Sequence, residues 1–266
     1  MSREEKLQNL RSIISDAGSA VIALSGGTDS IFLVHVASSM KDFRLLAVTV
    51  NSPYMFESEV SEAIKFCHDH RVDHKQIMMG VPENVKNNPP DRCYLCKTEV
   101  MKVISQEAHR AGISNIFDGT NVDDTSDFRP GMKALKEYGI RSPLLEAGFT
   151  KADIRALSKE AGLSTWEKPS NACLLTRFPH GTPVKDEDLR KAEAAELFLS
   201  QLGIVGSRIR VHGEVVRIEC QKEQIETLLS GKLREAIIKG LKDLGYQYIT
   251  VDLEGYRSGS MNKRSE

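Results

Sequence analysis

The sequence predicts an α/β fold, a doubly wound parallel sheet followed by a smaller C-terminal α+β domain. Three observations carry this. Short apolar runs alternate with helix-spaced segments through the first two thirds of the chain, as in successive βαβ units. The run Leu45 to Val50 is nearly continuous in apolar residues, as expected of a parallel strand covered on both faces. The pattern then changes near Gly181, between Thr176 and Lys185. The expected domains are therefore 1–181 and 182–266.

Each element follows from local pattern. Leu7 to Asp16 reads as a helix. Val21 to Leu24 is a short strand, stopped by Ser25-Gly26-Gly27, and Ile31 to Met40 resumes at helical spacing. Leu45 to Val50 is the second strand, Ser58 to His70 a helix, and His74 to Met79 the third strand. A polar, Pro-rich loop from Asn87 to Asp91 leads into a helix from Cys93 to Ala111, ended by Gly112. Asn115 to Gly119 is a fourth strand, running into a polar loop from Thr120 to Gly131. Thr150 is placed to cap a helix that reaches Ala161 and is closed by Gly162. Beyond the boundary, Lys185 to Gly203 is a long amphipathic helix. Arg208 to His212 and Val215 to Cys220 form a hairpin around Gly213-Glu214. Two helical stretches and a last strand, Tyr248 to Leu253, complete the unit. There is no internal repeat.

Composition bounds the function. The chain has 266 residues, 40% hydrophobic and 27% charged, with formal net charge −1. That is enough chain for a core without staples. A near-neutral balance disfavours a general nucleic-acid binder. No apolar run approaches the roughly 20 residues that span a bilayer, and Met1 to Leu10 lacks a signal-peptide core. The expectation is a cytoplasmic protein with no membrane partner. The cysteines are Cys67, Cys93, Cys96, Cys173 and Cys220. An odd count in such a chain argues against a disulfide framework.

Four sequence features carry chemistry. Ser25-Gly26-Gly27-Thr28-Asp29-Ser30 lies between a strand and a helix, where backbone N–H groups and the positive helix end bind phosphate. No Gly-Lys-Ser/Thr follows, so this is not a Walker A loop. It matches the SGGxDS pattern of PP-loop ATP pyrophosphatases; the competing reading is a simple Ser/Gly turn capped by Asp29. Second, Cys93-x-x-Cys96 opens a helix, and Cys173 follows within Lys168-Pro169-Ser170-Asn171-Ala172-Cys173-Leu174. Three thiolates suit a [4Fe–4S] cluster with one open iron. A zinc site completed by His180 or His109, or unligated thiols, are the alternatives. Cys67 and Cys220 read as core. Third, Asn121-Val122-Asp123-Asp124 and Asp127-Phe128-Arg129-Pro130-Gly131 follow the fourth strand, where carboxylates suit Mg²⁺ and Arg129 suits phosphate; a solvated acidic loop is the plainer reading. Fourth, Arg208-Ile209-Arg210 and Arg217-Ile218-Glu219 sit on the hairpin, and Arg208 and Arg210 point the same way from their strand. Two aligned guanidiniums suit a phosphate or carboxylate. Glu193 and Glu196 could balance them, and a surface ion-pair ladder is equally compatible.

Taken together, these motifs resemble the LarE family, the sulfur transferases of nickel-pincer nucleotide biosynthesis, over nearly the whole chain. The resemblance implies the PP-loop fold and an ATP-dependent sulfurtransferase. Such an enzyme adenylates a carboxylate of pyridinium-3,5-biscarboxylic acid mononucleotide and converts it to a thiocarboxylate. It implies ATP and Mg²⁺ held by Ser25, Gly26, Gly27, Thr28, Asp29 and Ser30. It also places Glu196, Arg208, Arg210 and Glu219 near the phosphorylated substrate or a metal. One branch of the family sacrifices a single cysteine. The other holds a [4Fe–4S] cluster on three, and Cys93, Cys96 and Cys173 place this chain with the latter, fed by a sulfide donor. A homo-oligomer is expected from the same resemblance. His180 departs from the aromatic residue usual after Arg177-Phe178-Pro179. The rival reading is a PP-loop [4Fe–4S] tRNA thiolation enzyme, which needs an extended basic surface. An ammonia-using ligase gives the three cysteines no role, and a nucleotide sensor would release no pyrophosphate.

Overall fold

A computed structural model describes residues 1–125, 130–169, 171–257 and 260–261. The chain divides into two units: Met1–Pro82 with Asp91–Asn171, and Glu83–Pro90 with Ala172–Glu266.

The first unit is an α/β layer structure. Its strands are β1 (Ser19–Ala23), β2 (Arg44–Asn51), β3 (His74–Met78) and β4 (Ile116–Phe117), all parallel, in the order β3-β2-β1-β4. The helices are α1 (Arg3–Ala17), α2 (Thr28–Ser38), α3 (Glu57–Asp69), α4 (Arg92–Ala111), α5 (Gly131–Glu137), α6 (Pro143–Glu146) and α7 (Lys151–Glu160). Side chains alternate across a strand, and β1 shows both consequences. Ala20 and Ile22 join a core with Leu10, Phe32, Phe149 and Ile154, whereas Val21 joins Val48, Met101 and Ile104. The sheet is thus covered on both faces, which explains the nearly continuous apolar run of β2. The α2 helix is apolar around most of its circumference, with Ile31 to Val34, Val36 and Ala37 all buried. No helix among the described residues is long and apolar enough to cross a membrane.

Two expected strands are shorter than their apolar runs. β4 has two residues, because the chain leaves the sheet at Asp118, whose carboxylate takes hydrogen bonds from Thr120 and Ser142. The last strand, β7 (Tyr248–Val251), stops before Asp252, which pairs with Arg217.

The second unit holds β5 (Arg208–His212), β6 (Val215–Glu219) and β7 in the order β5-β6-β7. The β5–β6 pair is antiparallel and β6–β7 parallel. Helices α8 (Asp186–Gln201), α9 (Lys222–Leu229) and α10 (Gly231–Asp243) belong to it. Leu189, Ala192, Ile209, Val216, Ile218 and Leu241 are buried in this unit. Asn88 ties its first segment in, donating to the carbonyls of Leu175, Phe178 and Pro179.

Candidate functional site

The loop between β1 and α2 is built around Gly26. Its φ is +81°, and a Cβ there would lie 2.0 Å from the carbonyl oxygen of Glu59. Only glycine permits that backbone approach. Gly27 caps α2 in extended conformation and offers no side-chain cap, which leaves the N–H groups of the first turn suited to an anion. The two serines brace the turn. Ser25 N–H donates to Ser30 Oγ at 3.2 Å, and Ser30 Oγ donates to the Gly27 carbonyl at 3.1 Å. Thr28 Oγ1 donates to Thr165 O at 2.8 Å. Gly119, just past β4, closes the other side, since a Cβ there would lie 3.0 Å from Ser30 N.

Asp29 sits in the first turn of α2, where its charge complements the helix dipole. Burial pushes its carboxyl above the usual carboxylate range. Lys151 works in the opposite sense, and Asp124 adds to the rise. Asp29 Oδ2 is 2.5 Å from Lys151 Nζ. Asp29 Oδ1 is buried and has no hydrogen-bond partner among the described residues. A buried hard oxygen without a donor, beside a second carboxylate, fits Mg²⁺. Asp123 accepts from Lys151 N–H at 2.6 Å, and Asp124 accepts from Asn121 N–H at 3.0 Å. Arg129 lies outside the described residues. Lys168 approaches the loop too, 3.4 Å from the Gly26 carbonyl, while pairing with Glu62 and Glu59.

The cysteines separate by environment. Cys67 and Cys220 are buried, and burial pushes the Cys67 thiol up to about 12 and raises that of Cys220. Cys93 is exposed, and Cys96 and Cys173 are half-buried. Cys93 and Cys96 occupy the first turn of α4 on neighbouring positions of one face. Cys96 Sγ lies 3.0 Å from Tyr54 Oη. This pair belongs to the first unit and Cys173 to the second. Among the described residues no three Cys, His, Asp or Glu side chains form a group placed to hold a metal ion. Accessible soft thiol donors suit zinc and an iron–sulfur cluster alike.

In the second unit the hairpin arginines are buried, not displayed on a half-exposed face as the strand pattern suggested. Arg208 is 6% exposed and Arg210 is 5% exposed. Glu219 holds Arg210 at 2.8 Å and Arg217 at 3.1 Å, and Asp252 holds Arg217 at 3.0 Å. Glu196 grips Arg177 in a bidentate pair, 2.8 Å on each arm, and accepts from Ile209 N–H at 3.0 Å. Arg208 stands 3.9 Å from Glu196, and burial lowers its pKa. Arg210 donates to Thr176 O at 2.9 Å. Glu193 pairs with Arg190. Five guanidiniums, of Arg177, Arg208, Arg210, Arg217 and Arg257, thus face Glu196, Glu219 and Asp252 among the described residues, and Arg257 also pairs with Glu254. The surplus of positive charge in a desolvated setting suits an anion.

Sequence reasoning missed Lys151, Lys168's grip on the loop, Arg177's charge and Asp252. Lys151 carried one signal: a lysine in the first turn of a helix opposes the dipole.

No protein-family model matches the chain. A component of the glutamine-hydrolysing GMP synthase of Thermoplasma acidophilum is 26% identical over 191 residues, 64% of this chain and 60% of that one. The four-stranded parallel sheet, the glycine loop entering α2 and this similarity define an ATP-using enzyme of PP-loop type. Similarity at full length narrows the class. The pyridinium-3,5-bisthiocarboxylic acid mononucleotide synthase of Lactiplantibacillus plantarum is 33% identical over 261 residues, 97% of this chain and 94% of that protein. A protein of Synechocystis sp. is 36% identical over 263 residues, 98% of each chain. The chain belongs to the LarE family.

Proposed function

We propose that this chain is an ATP-dependent sulfur transferase. It adenylates a carboxylate of pyridinium-3,5-biscarboxylic acid mononucleotide and replaces it with a thiocarboxylate, the sulfur coming through a [4Fe–4S] cluster. The observation that carries the reading is the 33% identity to the synthase of L. plantarum over 97% of the chain, a length that spans both units.

The roles follow from the chemistry of each group. The backbone of Ser25 to Ser30 holds the pyrophosphate portion of ATP, and Asp29 offers its buried oxygen to Mg²⁺. Arg208 and Arg210 take the phosphate of the substrate mononucleotide. The substrate carboxylate attacks the α-phosphorus, the α–β bridging bond breaks, and pyrophosphate leaves with both electrons of that bond. The acyl-adenylate then has AMP as a good leaving group. Such a reaction asks little acid–base work of the protein; it asks for positioning and charge stabilisation. Cys93, Cys96 and Cys173 would hold the cluster, which when bound supplies sulfide to the activated carbonyl.

The test is pyrophosphate release in the presence of ATP, Mg²⁺ and the biscarboxylate mononucleotide. The wild-type chain should release pyrophosphate only when the mononucleotide is present, and Asp29→Ala and Ser30→Ala should abolish release. Undiminished release in both variants would remove the phosphate-loop assignment.

A further inference from the structure

Tyr54 follows β2 in a short turn. Pro53 stiffens that turn by its fixed φ, and Met55 N–H closes it by donating to Ser52 O at 2.9 Å. The Tyr54 side chain is 3% exposed, and its Oη lies 3.0 Å from Cys96 Sγ. Both residues belong to the first unit. Cys96 stands on an equally fixed base. Tyr94 ties the start of α4 to α5, its hydroxyl donating to Glu137 Oε2 at 2.8 Å and its ring lying 4.8 Å from Lys133 Nζ. A held phenol therefore meets a held sulfur. A neutral thiol is a weak donor and a weak acceptor, so the contact adds little while Cys96 keeps its proton. It gains once the sulfur is charged, because a hydrogen bond donated to an anion is about twice as strong as a neutral one. The phenolic hydrogen reaches the sulfur by rotating about its C–O bond, with the ring in place.

We propose that Tyr54 is the positioning residue of Cys96 as a metal-binding thiolate. In the metal-free chain the Cys96 S–H donates to Tyr54 Oη. When Cys96 takes up a soft metal ion or a cluster iron, its proton leaves to solvent, as thiol ligation requires, and Tyr54 turns its O–H onto the bound sulfur. No electron moves in this exchange. The hydrogen bond fixes the direction of the sulfur's remaining lone pairs. It also withdraws charge from the sulfur, which favours the reduced, more negative form of a cluster. The effect on a cluster rests on the proposed role of Cys96 as a cluster ligand; the contact itself does not.

The experiment has two arms, both on the full chain kept anaerobic. In the metal-free chain, the infrared S–H stretching band of Cys96 is identified by its loss in Cys96→Ala. That band should move to higher wavenumber in Tyr54→Phe, because the thiol loses its acceptor. In the chain reconstituted with iron and sulfide, Tyr54→Phe should bind iron and titrate at a lower midpoint potential than wild type. Tyr94→Phe is the control, since it removes a hydrogen bond from the same end of α4 without touching a sulfur. It should lower Tm and leave band and potential where they are. If Tyr54→Phe does not fold, 3-fluorotyrosine at residue 54 is measured in its place; it is a stronger donor on the same ring and should raise the potential. Loss of iron uptake from Tyr54→Phe at unchanged Tm would support the same role. An unmoved S–H band would mean that the contact is absent in solution, and an unmoved potential that the hydroxyl does not meet the bound sulfur. Either result overturns the proposal. A wild-type chain that takes up no iron and sulfide overturns the cluster reading, a separate result, and the S–H band then decides the contact.

Discussion

Arg177 and Glu196 show what a single buried pair does for the second unit. The Arg177 side chain is wholly buried, and besides Glu196 it donates to the carbonyl of Ala172 and to Thr176 Oγ1. It thereby fastens the segment that carries Cys173 to α8. Removing one partner strands the other charge away from water, a loss of about 3–5 kcal/mol. Arg177→Ala should therefore lower the stability of the folded chain by about that amount in urea titration. The double variant Arg177→Met/Glu196→Leu should recover only part of it, because Glu196 also stands 3.9 Å from buried Arg208 and accepts from Ile209 N–H. A fall of well under 1 kcal/mol, the range of exposed pairs, would mean that the pair is solvated in solution. Sequence inspection found Glu196 as a balance for the hairpin arginines but not its main partner, because nothing in the spacing of Arg177 and Glu196 marks a contact.

Helix α7 shows how far local signals reach at the scale of an element. Thr150 was legible as its N-cap from residue type alone, and the structure places Thr150 there with Asp153 completing the box. The partner that locks the box was not legible. Lys6 of α1 reaches Asp153 at 2.6 Å across a sequence distance that no local pattern encodes. Burial pushes the Asp153 carboxyl up, but hydrogen bonds from Lys6 and Thr150 outweigh it and hold the pKa at about 2. The unfolded value is near 3.9. A depressed folded pKa stabilises above the unfolded value and loses that contribution as pH falls through the folded one. The α1–α7 clamp should thus be intact above about pH 4 and released progressively toward pH 2. Urea midpoints of wild type and Asp153→Asn should differ at neutral pH and converge over that window; a gap constant from pH 6 to pH 2 would mean that the ionised carboxylate contributes nothing. The shortened β4 has a similar lesson: its apolar residues were visible, but the turn at Asp118 depends on Ser142, which is distant in sequence.

At the scale of the whole molecule, what could be read in advance was whatever proximity in sequence encodes. The glycine loop, the C-x-x-C pair and the hairpin arginines each lie within a few residues. The long-range ion pairs that complete them, Lys151 to Asp29 and Arg217 to Asp252, emerge only after folding. The cysteines are where this distinction bears on mechanism. Cys67 and Cys220 are buried, with burial raising both thiols, so neither is a ready thiolate. Cys93, Cys96 and Cys173 are the more accessible three. A sacrificial mechanism needs only Cys173 and leaves the C-x-x-C pair without a role. A cluster needs all three, because two thiolates hold a four-iron cube poorly. Cys93→Ala, Cys96→Ala and Cys173→Ala should therefore each lose bound iron and sulfide, measured on anaerobically purified protein, together with sulfur transfer. Cys67→Ala and Cys220→Ala should retain both. Sulfide should support repeated turnovers, because the protein is not consumed, and mass spectrometry of spent enzyme should show Cys173 unchanged. Conversion of Cys173 to dehydroalanine after one turnover would overturn the cluster reading. It would make that residue the sulfur source itself.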